Sequence, residues 1–323
     1  MREEEPLVSV IIPTFNRPKE LGELIDSLTG VNVYRNIEII IVDNDTRGVD
    51  YTPLIDKIEE EGMRPRLLVN HEECALSKSR NMGIKEAKGD LFFFIDDDNV
   101  VTGTTILSLV RAFKREEKAG IISPVAFYYD RRDRVLDAGA ARNYHNSFTV
   151  NLFLNRKRGE IPEGALEVSE VSNAFMVAAE VIRKIGIFDE ANFPIDLDEA
   201  DLCIRAKKAG FKIYSLFGAD IFHRVEKINT LSFSSLRFRR VENAYNMGRN
   251  RIIFQRKHSN SISYIVYLLL YFPLFFHLYL LSQLLPQPGY NAKQRISFIA
   301  GFIEGVRDGL FCGPKIIKGG DYA

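Results

Sequence analysis

Residues 89–99 read Gly89-Asp90-Leu91-Phe92-Phe93-Phe94-Ile95-Asp96-Asp97-Asp98-Asn99 and decide the fold. The five large apolar residues at 91–95 predict a strand that is buried on both faces. Three carboxylates follow directly, and like charges this close are costly unless a cation neutralises them. Carboxylate oxygens suit Mg²⁺ or Mn²⁺, which also bind substrate phosphates. The stretch therefore predicts either a divalent-metal site for a phosphorylated ligand or an ordinary acidic turn after a core strand.

The flanking segments alternate between strand and helix patterns. Strands are expected at 7–12, 37–42, 66–69 and 121–123, and helices at 21–28, 75–87 and 104–116. This alternation predicts an α/β fold with a mainly parallel sheet and helices on both faces.

Polar residues follow several of these strands at the sheet edge where α/β folds bind ligands. A nucleotide there would find Asp43 for its base or ribose, Arg80 for its phosphates and a metal at Asp98. The alternatives are a turn-forming aspartate at 43 and an arginine that pairs on a solvated helix face.

The second half of the sequence is less regular. Residues 127–168 are expected to form an inserted surface region, and 170–178 a strand. A helix is expected from 196 to 209, with acids in its first turn, as the helix dipole favours. Asp201 and Arg205 can pair along this helix, which leaves Asp198 and Glu199 as candidate bases. His223 follows a later apolar run, and a lone histidine is more often structural than a metal ligand.

Composition excludes several classes of protein. The 323 residues carry 43 basic and 43 acidic side chains, so nothing suggests a nucleic-acid partner. The three cysteines, Cys74, Cys203 and Cys312, have no pairing or zinc spacing, which fits a reducing, cytosolic setting. The charged N-terminus does not resemble a signal peptide.

Five motifs, taken together, resemble family 2 glycosyltransferases, which are inverting enzymes with the GT-A fold. They are Val10-Ile11-Ile12-Pro13-Thr14-Phe15-Asn16-Arg17, Ile39-Ile40-Ile41-Val42-Asp43-Asn44, Ser79-Arg80-Asn81-Met82-Gly83-Ile84 with Gly89-Asp90, Phe94-Ile95-Asp96-Asp97-Asp98, and Asp198-Glu199-Ala200-Asp201-Leu202-Cys203-Ile204-Arg205. Their order and spacing cover about residues 7–225.

The resemblance implies a role for each matching residue. A nucleotide-diphosphate sugar donor would contact Pro13, Thr14, Asn16, Arg17, Asp43, Lys78, Arg80, Asp96 and Asp97. Asp98, with Asp96 and His223, would bind Mn²⁺ or Mg²⁺. Glu199 would be the general base. This chain reads Asp-Glu where the family commonly has Glu-Asp, so Asp198 remains a second candidate.

The implied chemistry suits these residue types. A departing nucleoside diphosphate gains negative charge, which a divalent cation and Arg80 would stabilise. An acceptor hydroxyl must lose its proton to a carboxylate as it attacks the anomeric carbon. One base and an in-line attack imply inversion without a covalent enzyme intermediate.

The C-terminal region differs in character from the rest. We expect a catalytic domain at 1–225, a basic amphipathic connector at 226–260 and a membrane-anchoring helical tail at 261–323. Residues 262–285 carry no Asp, Glu, Lys or Arg and are long enough to cross a bilayer, although Pro273 also allows a re-entrant hairpin. Basic residues just before them place the catalytic domain on the cytoplasmic side of the cell membrane. The alternative is a buried core helix or a subunit contact.

The helix expected at 296–311 is interpreted as lying in the membrane interface. A tethered catalytic domain favours a membrane-borne acceptor, either a lipid-linked glycan or a polyprenyl phosphate. Two other functions remain open: a sugar-nucleotide pyrophosphorylase, and a membrane-anchored nucleotide-sugar binder without turnover. The first would need a Gly-rich phosphate loop after the first strand, and the sequence has none there.

Overall fold

The computed structural model describes residues 5–44, 48–70, 76–143, 149–224, 241–284 and 291–312. The strands are β1 (Val8–Thr14), β2 (Ile37–Asp43), β3 (Arg64–Val69), β4 (Leu91–Ile95), β5 (Asn99–Val101), β6 (Ala119–Tyr128), β7 (Val135–Asp137), β8 (Ala140–Arg142), β9 (Thr149–Asn151), β10 (Gly164–Glu167), β11 (Ala174–Ala178) and β12 (Lys212–His223). The helices are α1 (Pro18–Asp26), α2 (Thr52–Glu60), α3 (Leu76–Glu86), α4 (Thr105–Arg115), α5 (Ala179–Ile185), α6 (Asp198–Lys208), α7 (Val241–His258), α8 (Ser261–Val266), α9 (Phe272–Leu284) and α10 (Ala292–Phe311).

The main sheet has the order β10-β12-β6-β11-β4-β1-β2-β3. Strands β4, β1, β2 and β3 are parallel neighbours, as are β6 and β12. Strand β11 runs antiparallel to both β4 and β6. The carboxyl ends of β1, β2 and β4 therefore open on one edge, and this places the acidic run after β4 beside the ends of β1 and β2.

Strand β4 is buried on both faces, as predicted. Phe93 and Ile95 pack in one core cluster, while Phe92 and Phe94 pack in the cluster on the opposite face. This alternation is the period of two expected for a strand. Because both faces are covered, the strand holds the following three aspartates on a rigid support.

Three parts of the sheet region differ from the sequence predictions. Residues 127–168 are not simply irregular, because they contain the end of β6 and strands β7 to β10. These strands are too short to show periodicity. Helix α2 was not predicted, since Ile58 is its only fully buried residue. Strand β12 is longer than expected: a register shift between Leu216 and Asp220 interrupts it, and it then continues to His223.

Helix α7 packs against both the α/β domain and the tail. On one side its Ile253 and Phe254 join Phe193 and residues of α6 in a core cluster. On the other side α7 contacts α10 closely enough that a Cβ on Gly305 would lie 2.0 Å from the Tyr245 carbonyl oxygen. Only glycine permits so close an approach.

Residues Ser261–Leu284 form one helix that is long and apolar enough to cross a membrane by length and composition, and no other helix in the described ranges is. It contains α8, a π-helical turn and α9. Tyr267, Phe272 and Tyr279 are buried against the protein. The other side exposes a row of large apolar side chains: Ile262, Ile265, Leu269, Leu270, Leu274, Leu278, Leu281 and Leu284.

Candidate active site

The loop after β1 is bonded to the acidic run after β4. Thr14 donates a hydrogen bond of 2.7 Å from its hydroxyl to Asp97, which also pairs with Arg17 at 3.1 Å. Arg17 also pairs with Asp98 at 3.0 Å. Burial raises the pKa of Asp97 to about 6, although Thr14 and Arg17 both favour its charged form. The predicted residues Thr14, Arg17, Asp97 and Asp98 are therefore brought together.

His223 lies beside Asp98, with 3.0 Å between Nε2 and Oδ1. Burial alone would raise the pKa of Asp98, but the contact with His223 and the charge of Arg17 hold it below its usual range. Among the described residues, no three or more carboxylate, histidine or cysteine side chains surround a common point as a closed metal cage would require. Two protein ligands still fit Mg²⁺ or Mn²⁺, which usually keep waters and substrate phosphates in their other positions.

Arg80 lies at the centre of a buried charge cluster. Its guanidinium is completely buried and pairs with Asp198 and Glu199 at 2.8 Å each, and with Asp96 at 3.4 Å. Phe175 and Phe188 each place a ring 5.5 Å from the guanidinium carbon. The donor-phosphate contact implied for Arg80 stays a prediction. In this structure its charge balances carboxylates at the start of α6.

The two candidate bases differ in environment. The Glu199 side chain is 19% exposed, whereas the Asp198 side chain is 3% exposed. Burial raises the pKa of Glu199 to about 8. The charge of Arg80 lowers this pKa, whereas the charges of Asp198 and Asp96 raise it. Burial also raises the pKa of Asp198. Of the pair, Glu199 is the carboxylate with more access to solvent.

Two asparagines missed by the sequence reasoning support the acidic cluster. The Asn173 backbone N–H donates to Glu199 at 3.2 Å, and the Asn173 side chain exchanges hydrogen bonds of 3.0 Å with Asn99. Asn99 also donates to the Asp96 carbonyl at 3.0 Å. Asn99 directly follows the acidic run and could have been suspected, but Asn173 carries no local signal.

A second polar group follows β2. Asp43 is buried and lies opposite Thr14 in the β1–β2 register. The next residue, Asn44, accepts hydrogen bonds from Ser79 and Asn70, which bring α3 and the end of β3 to the same edge. Strand order alone thus predicted where Asp43 lies, but not the neighbouring polar network.

The other predicted donor contacts lie on the same elements. Pro13 is in β1, Asn16 follows it with a left-handed φ of 52°, and Lys78 is a half-buried residue of α3. Their contacts with a donor remain predictions.

The turn before α6 has an unusual backbone. Asp196 and Leu197 are consecutive non-glycine residues with φ values of 67° and 66°. Each left-handed residue costs on the order of 1–2 kcal/mol, so such a turn persists only where its surroundings fix it. Asn250 of α7 donates to the carbonyls of Ile195 and Asp196, at 2.8 Å and 3.1 Å.

A cavity of about 150 Å³ opens beside Glu199. It is lined by the turn before α6, by residues around β7 and β8, and by the segment before β11: Asp137, Gly139, Ala140, Arg142, Asn151, Glu170, Val171, Ser172, Asp196, Leu197, Glu199 and Ala200. Arg142 and Glu170 pair within it at 2.7 Å. The inserted region therefore builds one wall of a cavity next to the candidate base.

The sequence model described as "Glycosyl transferase family 2" matches residues 9–183, which is more than half of the chain. The chain belongs to glycosyl transferase family 2. The assignment confirms the resemblance and the predicted enzyme class, glycosyltransferase, and it favours that class over a pyrophosphorylase or a non-enzymatic binder.

Curated relatives match parts of the chain. An uncharacterized protein of Sinorhizobium fredii is 23% identical over 68% of this chain and 25% of its own length. Glycosyltransferase GlyG of Streptococcus pneumoniae is 29% identical over 39% of this chain and 41% of its own. GalNAc(5)-diNAcBac-PP-undecaprenol beta-1,3-glucosyltransferase of Campylobacter jejuni is 27% identical over 33% of this chain and 34% of its own length. The matched part is well under two thirds of each relative.

Solved structures share the fold. GalNAc-T7, crystallised with UDP, GalNAc and Mn²⁺, aligns with a TM-score of 0.61 and 13% identity over 97% of this chain and 59% of its own. The mannosyltransferase PcManGT of Pyrobaculum calidifontis, in complex with GDP-Man and Mn²⁺, aligns with a TM-score of 0.54 and 14% identity. The alignment covers 96% of this chain and 88% of its own. At these identities the likeness shows the fold, and it confirms the predicted GT-A type.

Proposed function

We propose that this family 2 member is a metal-dependent, inverting glycosyltransferase that moves a sugar from a nucleotide-diphosphate donor to a membrane-borne acceptor, with Glu199 as the general base. The observation that carries the proposal is the position of Glu199. Its carboxylate is held by Arg80 and the Asn173 N–H, lies at the wall of a cavity, and has its pKa raised to about 8. A base with a pKa near the working pH is well suited to take a hydroxyl proton.

The donor is assigned to the edge formed by β1, β2 and β4. Thr14 and Arg17 are fixed on Asp97, and Asp43 lies opposite Thr14 in the register. We assign Pro13, Asn16, Lys78, Arg80 and Asp96 to the same donor site, as the motif match implies. Such a rigid edge would hold the donor in line with the acceptor, which is the main contribution expected from the fold.

A divalent cation, when bound, would offset the growing negative charge of the leaving diphosphate. Asp98 and His223 would hold it, with Asp96 nearby. The Mn²⁺ in the two neighbour structures supports this assignment. Arg17, bonded to Asp97 and Asp98, keeps the acidic run in place until donor and cation arrive.

The acceptor is assigned to the cavity beside Glu199, which would take its proton as the hydroxyl attacks the anomeric carbon. Asp198 pairs with Arg80 and is almost fully buried, so we assign it a supporting role. The undecaprenol-linked substrate named for the Campylobacter relative supports a lipid-linked glycan as acceptor.

The apolar helix at Ser261–Leu284 supports attachment to the cell membrane, with the catalytic domain on the cytoplasmic side. The domain boundaries at 225 and 260 stay part of this proposal, with helix α7 of the segment between them packed on the catalytic domain. Leu269 and Leu281 are 70% and 51% exposed on this helix. Replacing both with arginine should weaken binding to phospholipid vesicles by at least about 100-fold, because each buried leucine contributes about 1.5–3 kcal/mol. Unchanged vesicle binding would rule out this face as the attachment surface.

The test of the function is donor binding and hydrolysis across UDP-, GDP- and dTDP-sugars, each measured with Mn²⁺ and with EDTA. We expect one donor class to bind and to need the metal. Glu117 is an exposed carboxylate that pairs only with Lys118 among the described side chains. The variant Glu117→Gln is therefore the control, and it should behave as wild type. Absence of binding to every donor, with and without metal, would overturn the proposal.

A further inference from the structure

We propose that α7 belongs to the catalytic machinery, and that Asn250 is a positioning residue for the general base. This inference rests on the function proposed above. The sequence places α7 inside a basic connector between the catalytic domain and the membrane tail. The structure instead packs it along the segment 189–201, which ends in the first turn of the base-bearing helix.

The contacts are specific and buried. Asn250 is completely buried, and its side-chain amide donates to the carbonyls of both Ile195 and Asp196. The Arg249 guanidinium donates to the side-chain Oδ1 of Asn250 at 2.9 Å and so orients this amide. Arg249 also donates to the Asn192 carbonyl at 2.6 Å. Because Arg249 donates to the Ala191 carbonyl as well, at 3.2 Å, these two adjacent residues of α7 bind four carbonyls of the segment before α6.

These carbonyls belong to the backbone that places Glu199. The left-handed residues Asp196 and Leu197 come directly before α6, and Glu199 is the second residue of that helix. The Leu197 side chain packs on a cluster containing Ile253 and Phe254 of α7. An unfavourable backbone conformation needs external contacts to persist, and α7 supplies both the hydrogen bonds and the packing.

A second set of contacts joins α7 to α6 further along. Lys257 and His258 approach the buried Asp201 at 2.6 Å and 2.8 Å. Lys257 also pairs with Asp189 at 2.7 Å, where the segment begins. Helix α7 therefore contacts the segment 189–201 at both of its ends. The opposite face of α7 packs against α10. The membrane tail and the catalytic base share this one helix.

The experiment compares full-length Asn250→Asp with wild type. Aspartate keeps the size of asparagine but removes both N–H donors. Arg256→Ala is the matched control, because Arg256 lies on the same helix and donates instead to the carbonyls of Gly309 and Leu310. Asn250→Ser, which keeps one donor, is a milder second variant.

The first measurement is amide hydrogen exchange over residues 195–201, made well below each variant's unfolding temperature. Losing two buried hydrogen bonds should speed exchange there by about 10-fold or more in Asn250→Asp. Asn250→Ser should show a smaller change, and Arg256→Ala none. Exchange in Asn250→Asp equal to wild type would overturn the inference whether or not the protein is an active transferase.

The second measurement is donor binding and donor hydrolysis with the nucleotide-sugar panel. Asn250→Asp should bind donor as wild type does while kcat for hydrolysis falls by about 100-fold, the effect of displacing a catalytic group by about 1 Å. A kcat that falls only with the folded fraction, or not at all, would overturn the positioning role. Wild-type protein that neither binds nor cleaves any donor would defeat the proposed function, and the exchange result would still decide whether α7 holds the turn.

Discussion

The environment of Glu199 predicts a trade-off between stability and activity that the variant Glu199→Gln exposes. The folded protein raises the pKa of this carboxyl from 4.5 to about 8, chiefly through burial. A folded-state pKa above the unfolded value means that the folded form binds the proton more tightly. Stability must therefore fall as pH rises from about 4.5 to about 8, and glutamine, which does not ionise, removes this loss.

The magnitude follows from the same two values. At about 1.4 kcal/mol per pH unit, the difference sets a ceiling of about 5 kcal/mol. Because a fifth of the side chain reaches solvent, we expect about 2–3 kcal/mol in practice. Relative to wild type, the free energy of unfolding of Glu199→Gln should rise by this amount between pH 5 and pH 8. The attraction of Arg80 for the ionised carboxylate lowers the pKa of Glu199, so the value of about 8 already includes it and the trend is unchanged.

The assay is urea unfolding followed by circular dichroism at pH 5, 6, 7 and 8, since the chain contains no tryptophan for fluorescence. Glu167→Gln is the control, because Glu167 is an exposed carboxylate on β10 that pairs with Lys212. A stability difference between wild type and Glu199→Gln that does not change with pH would show that folding does not raise the pKa of Glu199.

Three further predictions concern other buried contacts. Arg80→Met should destabilise the fold by about 3–5 kcal/mol in thermal unfolding, because two buried carboxylates lose their partner; wild-type stability would contradict this. The pKa of Asp201 is held well below its usual range by His258, Arg205 and Lys257 in spite of burial. Its stabilising effect should be present above about pH 4 and lost in more acidic solution. The free energy of unfolding of Asp201→Asn should therefore differ most from that of wild type at neutral pH. Gly305→Ala should push α10 away from α7 and lower the free energy of unfolding by about 1–3 kcal/mol. Gly159→Ala should be neutral, because a Cβ at this position meets nothing within 4 Å. Equal unfolding temperatures for these two variants would contradict the close packing of α7 and α10.

The first half of the fold was predictable because its signals are local. The run at 91–95 is apolar throughout and is buried on both faces. Thr14 and Asp43 end β1 and β2, and the acidic run follows β4; the parallel order of these strands places their ends on one edge. The register of β1 with β2, which sets Thr14 opposite Asp43, was not predicted and is seen only in the structure.

The less predictable features depend on contacts between distant residues. Arg80 was assigned to phosphate from its motif, yet it is buried among carboxylates that lie more than a hundred positions away in sequence. Asn173 and Asn250 contact the proposed base, Glu199, or the turn before its helix, and both come from segments without a motif. Charge content made α7 resemble a connector, since a basic helix that bonds backbone carbonyls cannot be distinguished in sequence from one that meets a membrane.

The most direct test of the central claim is sugar transfer by Glu199→Gln, measured beside its donor affinity. If Glu199 is the base, this variant should bind donor as wild type does and transfer sugar about 10²–10⁴-fold more slowly, because that is the usual contribution of a general base. Normal donor binding together with full transfer would show that Glu199 is not the base.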